Sequence, residues 1–111
     1  GRFQEQQILS PQAIREATRD QLPSIAGLSV AARQGKGWGL GWQIVSASSS
    51  DYYGDLLSRS AFGHGGATGT VFWVDPELDA SAVILTTEPQ EPHGRFLSLI
   101  TNRIVASIKP G

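Results

Sequence analysis

The chain has 111 residues, of which 40% are hydrophobic and 17% charged, and its formal net charge is -1. That length suits one small domain with its own core, and that composition is globular rather than disordered. The near-neutral charge gives no electrostatic reason to expect nucleic acid or an acidic membrane as partner, and the lack of cysteine excludes disulfides, thiolate catalysis and cysteine-bound zinc.

The first residues, Gly1-Arg2-Phe3-Gln4-Glu5-Gln6-Gln7, are polar and unlike a signal peptide. They read as mid-protein sequence, and the chain has no methionine. Ser10-Pro11 is a helix start, because Ser caps free N–H groups and Pro favours the first helical position. Ile14, Ala17, Thr18 and Gln21 or Leu22 continue at helical spacing, which predicts a helix from Pro11 to Gln21, ended by Pro23. Residues 24–36 show no period and read as a connection. In 37–45, Trp38, Leu40, Trp42 and Ile44 alternate as in a strand. Gly37, Gly39 and Gly41 fill its other face, so a helix or a ligand should approach that backbone closely. Residues 46–60 are Ser-rich and polar, and predict an exposed loop.

Phe62–Gly65 and Thr70–Val74 read as strands, and Ala80–Thr87 as a third. The turn chemistry of Asp75-Pro76-Glu77-Leu78-Asp79 joins the last two into a hairpin. Both hairpin strands are apolar on both faces, which predicts a sheet covered on both sides. Glu88-Pro89-Gln90-Glu91-Pro92 breaks the pattern. Phe96, Leu97, Ile100, Ile104, Val105 and Ile108 then form one stripe of an amphipathic C-terminal helix. The fold class is therefore α+β, an antiparallel β-sheet flanked by N-terminal and C-terminal helices.

Four glycines and a histidine lie between strand patterns in Phe62-Gly63-His64-Gly65-Gly66-Ala67-Thr68-Gly69. Neither G-x-x-x-x-G-K-[ST] nor G-x-G-x-x-G fits, and the context is strand to strand, so the segment is no phosphate loop. His64 and His93 are far apart and no local cluster offers three zinc ligands, so no metal or other cofactor is expected.

Gly39-Leu40-Gly41-Trp42, the Phe62–Gly69 segment and Phe72-Trp73-Val74-Asp75-Pro76 together resemble the C-terminal portion of β-lactamase-like serine hydrolases. That group spans class C-type β-lactamases, D-alanyl-D-alanine carboxypeptidases and related esterases. The helix start at Ser10-Pro11, the Asp79–Thr87 strand and the last helix fit the same pattern. The resemblance covers nearly all of residues 1–111, read as a single partial domain, and a minority of the family's usual length. It implies that His64-Gly65-Gly66 is the third catalytic motif, Lys-Thr-Gly or His-x-Gly in the family. His64 would take the basic position in the proton relay. Histidine's ordinary pKa is about 6.5, so unlike Lys it is no fixed charge at pH 7. Ala67 would give a backbone oxyanion donor, and Gly65, Gly66 and Thr68 would bind substrate. Gly65 departs from the Thr or Ser whose hydroxyl helps hold a substrate carboxylate, which leans toward ester or amide substrates.

The chain has no Ser-x-x-Lys nucleophile motif and no Tyr-x-Asn motif. Tyr53-Gly54-Asp55 is too close to the His-Gly-Gly segment to serve as the latter, and its tyrosines read as exposed loop residues. Without nucleophile and base this chain alone should not catalyse acyl transfer. The expected partner is then the N-terminal remainder of the same enzyme, with a small-molecule or peptide substrate. The resemblance favours periplasm, secretion or the cell surface. Such a part should expose an apolar sheet face or edge, with Trp38/Trp42 and Val71/Trp73 as candidates, and a homodimer is another way to cover it. The alternatives are a non-catalytic module binding peptide or protein, and an autonomous α+β domain whose glycines only shape a turn.

Overall fold

The computed structural model describes residues 1–88 and 94–109. A short ribbon opens the chain: β1 (Arg2–Phe3) pairs antiparallel with β2 (Gln6–Gln7). It is followed by α1 (Pro11–Ala17), whose N-terminus is capped as the sequence predicts, Ser10 Oγ accepting from the Ala13 N–H at 3.1 Å. The helix stops at Ala17 and does not run on to Gln21. Beyond Thr18 the backbone finds partners outside the helix: Leu40 N–H donates to Ala17 O at 2.9 Å, and Gln21 N–H to Trp38 O at 2.7 Å. The 24–36 connection contains one short helix, α2 (Val30–Arg33).

The main sheet has the order β3 (Gln43–Ile44), β4 (Phe62–Gly66), β5 (Thr70–Asp75) and β6 (Ala80–Leu85), all neighbours antiparallel. Strands β4 to β6 lie where the apolar runs predict them. Residues 37–45 do not form one strand. They fold back as a tight hairpin in which Trp38 bridges Gln43 and Gly39 N–H donates to Trp42 O at 2.7 Å. The glycines explain the reversal. Gly41 turns at φ +82°, and a Cβ on Gly39 would run into the carbonyl of Ala17 at the end of α1. The end of α1 approaches Gly39, while Gly37 lies against Ala47 and the Ile44 carbonyl of its own segment.

One face of the sheet carries the core. Registration puts Gly63, Trp73 and Ala82 in one row and Gly65, Val71 and Ile84 in the next. Against these rows lies α3 (Arg95–Ser107), which matches the predicted amphipathic helix. Trp73, Val71, Ile84, Leu97 and Tyr53 form the buried cluster, and Trp73 Nε1 donates to buried Thr101 Oγ1 at 3.2 Å across the layer. The break before α3 falls largely on Pro89–Pro92, outside the described residues, as does His93.

Three further expectations are corrected. Val71 and Trp73 are buried at 2% and 0% exposure, because their side of the strand faces α3. The sheet is covered on that side, while the opposite side leaves Val83 and Leu85 of β6 69% and 76% exposed. Tyr53 is fully buried and Tyr52 half-buried, not exposed loop residues. Buried Gln43 draws them in: its Oε1 accepts from Tyr52 Oη at 2.6 Å and Tyr53 Oη at 3.0 Å. Its Nε2 donates to Ser48 Oγ and Ser50 Oγ at 2.9 and 3.0 Å. The Ser-rich segment is thus tied to the β3–β4 junction.

Candidate active site

His64 lies mid-strand in β4, on the side away from α3, opposite Phe72 and exposed. Strand β3 covers the outer edge of β4 only at Phe62 and Gly63. From His64 to Gly66 that edge is unpaired within the sheet. Gly69 N–H donates to Gly66 O at 3.0 Å, so the Gly66 carbonyl faces β5. Backbone groups alternate along an antiparallel strand, which turns the Gly65 carbonyl to the open edge. There it meets its own neighbour: His64 Nδ1 lies 2.7 Å from Gly65 O.

The turn from β4 to β5 holds Ala67 and Thr68, both exposed, and Gly69 at φ +100°. This is the usual place for a left-handed glycine in a three-residue hairpin loop. A Cβ on Gly69 would run into Glu88 O, and one on Gly66 into Thr70 Oγ1. The Gly69 contact is with backbone at a positive φ, whereas the Gly66 contact is with a side-chain hydroxyl.

The 37–43 hairpin lies over the outer side of β4. Trp38 reaches His64, with ring centroids 5.3 Å apart and planes tilted by 55°. Trp42 meets Phe62 and Phe72 edge-on at 5.2 and 5.6 Å. Beside His64 runs a shallow groove of about 380 Å³, lined by His64, Gly65, Gly66, Thr70, Val71, Phe72, Val83 and Leu85. The structure therefore brings His64, Gly65 and Gly66 to one surface, with Ala67 and Thr68 at its end. A larger hollow, about 610 Å³, lies by the Ser48–Asp51 segment and Arg95. It holds Asp51, Asp55 and Arg95 but none of the His-Gly-Gly residues, and size alone does not make it the reactive site.

Sequence reasoning reached Trp38 only as one position of an alternating strand. Its contact with the histidine depends on the hairpin, and the signal for that was the glycine on each side of it. Gln43, which anchors the hairpin's end, carried no local signal.

Comparison with known proteins bears on the family and the fold. The Beta-lactamase family profile matches residues 2–104. A putative D-alanyl-D-alanine carboxypeptidase from Escherichia coli K12 is 32% identical over 65 residues, 58% of this chain and 15% of that protein. A like-named protein from Salmonella paratyphi B is 39% identical over 56 residues, 50% of this chain and 13% of that one. Among solved structures, a β-lactamase from Mycobacterium bovis superposes with a TM-score of 0.74 at 28% identity, covering 92% of this chain and 39% of that one. The chain thus spans a small part of these curated relatives and well under half of the solved structure. With the family profile matched along almost its whole length and the fold shared, the chain belongs to the β-lactamase family.

Proposed function

We propose that this chain supplies the His-Gly-Gly wall of the active site of a β-lactamase-like serine hydrolase, whose nucleophile lies outside these 111 residues. The parent would open an amide or ester through an acyl-enzyme on that serine and release it with water. His64 sits in the proton relay beside the nucleophile. The Ala67 N–H is one donor of the oxyanion hole, and Gly65, Gly66 and Thr68 contact the substrate. The reading is carried by one observation: His64 is exposed on a strand whose outer edge is open from His64 onward.

Substrates fall in the class of β-lactams, D-Ala-D-Ala peptides and esters. Gly65 offers no hydroxyl for a substrate carboxylate, which favours the esters and amides with looser requirements. The exposed Phe72–Val83–Leu85 side of the sheet would be covered by the N-terminal remainder of the same enzyme. The test is His64→Ala in the protein expressed with the sequence preceding this chain, read by the rate of labelling with a fluorescent penicillin or fluorophosphonate. A relay group should be worth on the order of 10²–10⁴ in rate. Unchanged labelling would remove His64 from the machinery. No labelling of the parent at all would favour a non-catalytic module that binds peptide or protein.

A further inference from the structure

We infer that Trp38 is a positioning residue: with the Gly65 carbonyl it holds His64 as the Nδ1–H tautomer and leaves Nε2 as the free acceptor at the groove. The use of that acceptor in a proton relay rests on the function proposed above; the tautomer itself does not.

The chemistry of the contact assigns the proton. His64 Nδ1 is 2.7 Å from Gly65 O, and a carbonyl oxygen can only accept. Nδ1 therefore donates. A neutral imidazole has one ring N–H, so Nε2 carries a lone pair. The carbonyl is available for this because it faces the open edge of β4, where β3 has ended.

A bond to the next residue's carbonyl leaves the ring free to swing unless something holds its face. Trp38 does that, 5.3 Å away and tilted by 55°. The backbone that carries the indole is itself tied on two sides. Trp38 O accepts from Gln21 N–H, and Trp38 bridges Gln43, whose side chain is engaged at both ends in the interior. This support runs from the α1 end of the molecule and from the tyrosine pair to one imidazole. A lysine in the same place would present only donors. A histidine held this way presents an acceptor, so the polarity of the position is reversed.

The chain has two histidines, so long-range ¹H–¹⁵N spectra of the 111-residue chain show two imidazoles, and His64→Gln assigns them. Spectra are recorded at a pH where no imidazolium signal remains, so that only the neutral tautomers are read. The expected result is a pyrrole-like Nδ1 and a pyridine-like Nε2 for His64, with NOEs between its ring protons and the Trp38 indole. Trp38→Leu should average the two tautomers and remove the ring-current shift of the imidazole C–H signals, and Trp38→Phe should keep both. A pyrrole-like Nε2 in the unmodified chain, absence of the NOEs, or a folded Trp38→Leu with unchanged imidazole signals would each overturn the inference. If Trp38→Leu does not fold, the tautomer and the NOEs of the unmodified chain still decide it. Loss of His64's tautomer would leave the proposed catalytic role open to a donor mechanism, while an inert His64→Ala in the parent would strike that role and leave the tautomer standing.

Discussion

Both ends of the Gln43 amide are occupied in the interior, by two tyrosine hydroxyls and two serine hydroxyls. Replacing it by Leu leaves the fully buried Tyr53 hydroxyl without its acceptor, a loss of about 1–3 kcal/mol. Urea unfolding of Gln43→Leu should show that drop, with Gln43→Glu as a variant that keeps an acceptor. Tyr53 also sets a pH limit. Burial, with Tyr52 beside it, holds its hydroxyl well above the ordinary tyrosine value. The unfolded chain ionises this group near pH 10, the folded chain only at higher pH. The stability it contributes is complete below about pH 10 and falls as the pH rises beyond it. Urea midpoints from about pH 9 to pH 11.5 should decline more steeply for the natural chain than for Tyr53→Phe. None of this was legible from residues 46–60. A Ser-rich polar run looks like loop, and the partner that buries its tyrosines lies ten positions back in Gln43.

At the scale of elements, the strands β4 to β6 and helix α3 were legible because their patterns are decided locally. Apolar runs bounded by Asp75-Pro76 and Gly69 leave few alternatives, and the Phe96–Ile108 stripe fits one helix face. The segment 37–45 was not legible in the same way. Its alternation satisfies a strand, but three glycines allow a reversal that alternation does not detect, and contact with α1 selects it. The same contact shortens α1. Gly63 is the clearest element-level constraint: a Cβ there would run into Phe72 O on β5. Gly63→Ala should therefore destabilise the β4–β5 pairing by about 3 kcal/mol, the upper end for overpacking. Thermal unfolding checks this, and a change under about 0.5 kcal/mol, typical of an indifferent surface site, would contradict the register.

For the whole molecule, the exposed side of the sheet is the salient fact. Val83 and Leu85 project from β6, and β6 has no strand beyond it among the described residues. Its sequence, Ala80-Ser81-Ala82-Val83-Ile84-Leu85, carries no charge and no proline, the devices that normally blunt an edge. The isolated chain should self-associate as its concentration rises, and Val83→Lys with Leu85→Lys should return it to monomer. Sedimentation velocity reads both, and a natural chain that stays monomeric would show that the surface needs no cover. The sequence anticipated such a surface but assigned it to Trp38/Trp42, which are half-buried against His64, Phe62 and Phe72, and to Val71/Trp73, because strand periodicity says that two faces differ without saying which one meets the helix. His64, Gly65 and Gly66 were singled out by their resemblance to a known motif, and the structure places them beside one groove. The contact of Trp38 with His64 was not legible, since it exists only once the hairpin closes.

The most direct test of the account is intact mass after treatment with a fluorophosphonate or a penicillin. The 111-residue chain alone should take no adduct, because it has no Ser-x-x-Lys. Expressed with the sequence that precedes it, the protein should take one, on a serine outside these residues. A single stoichiometric adduct on any serine of the chain itself would contradict the account.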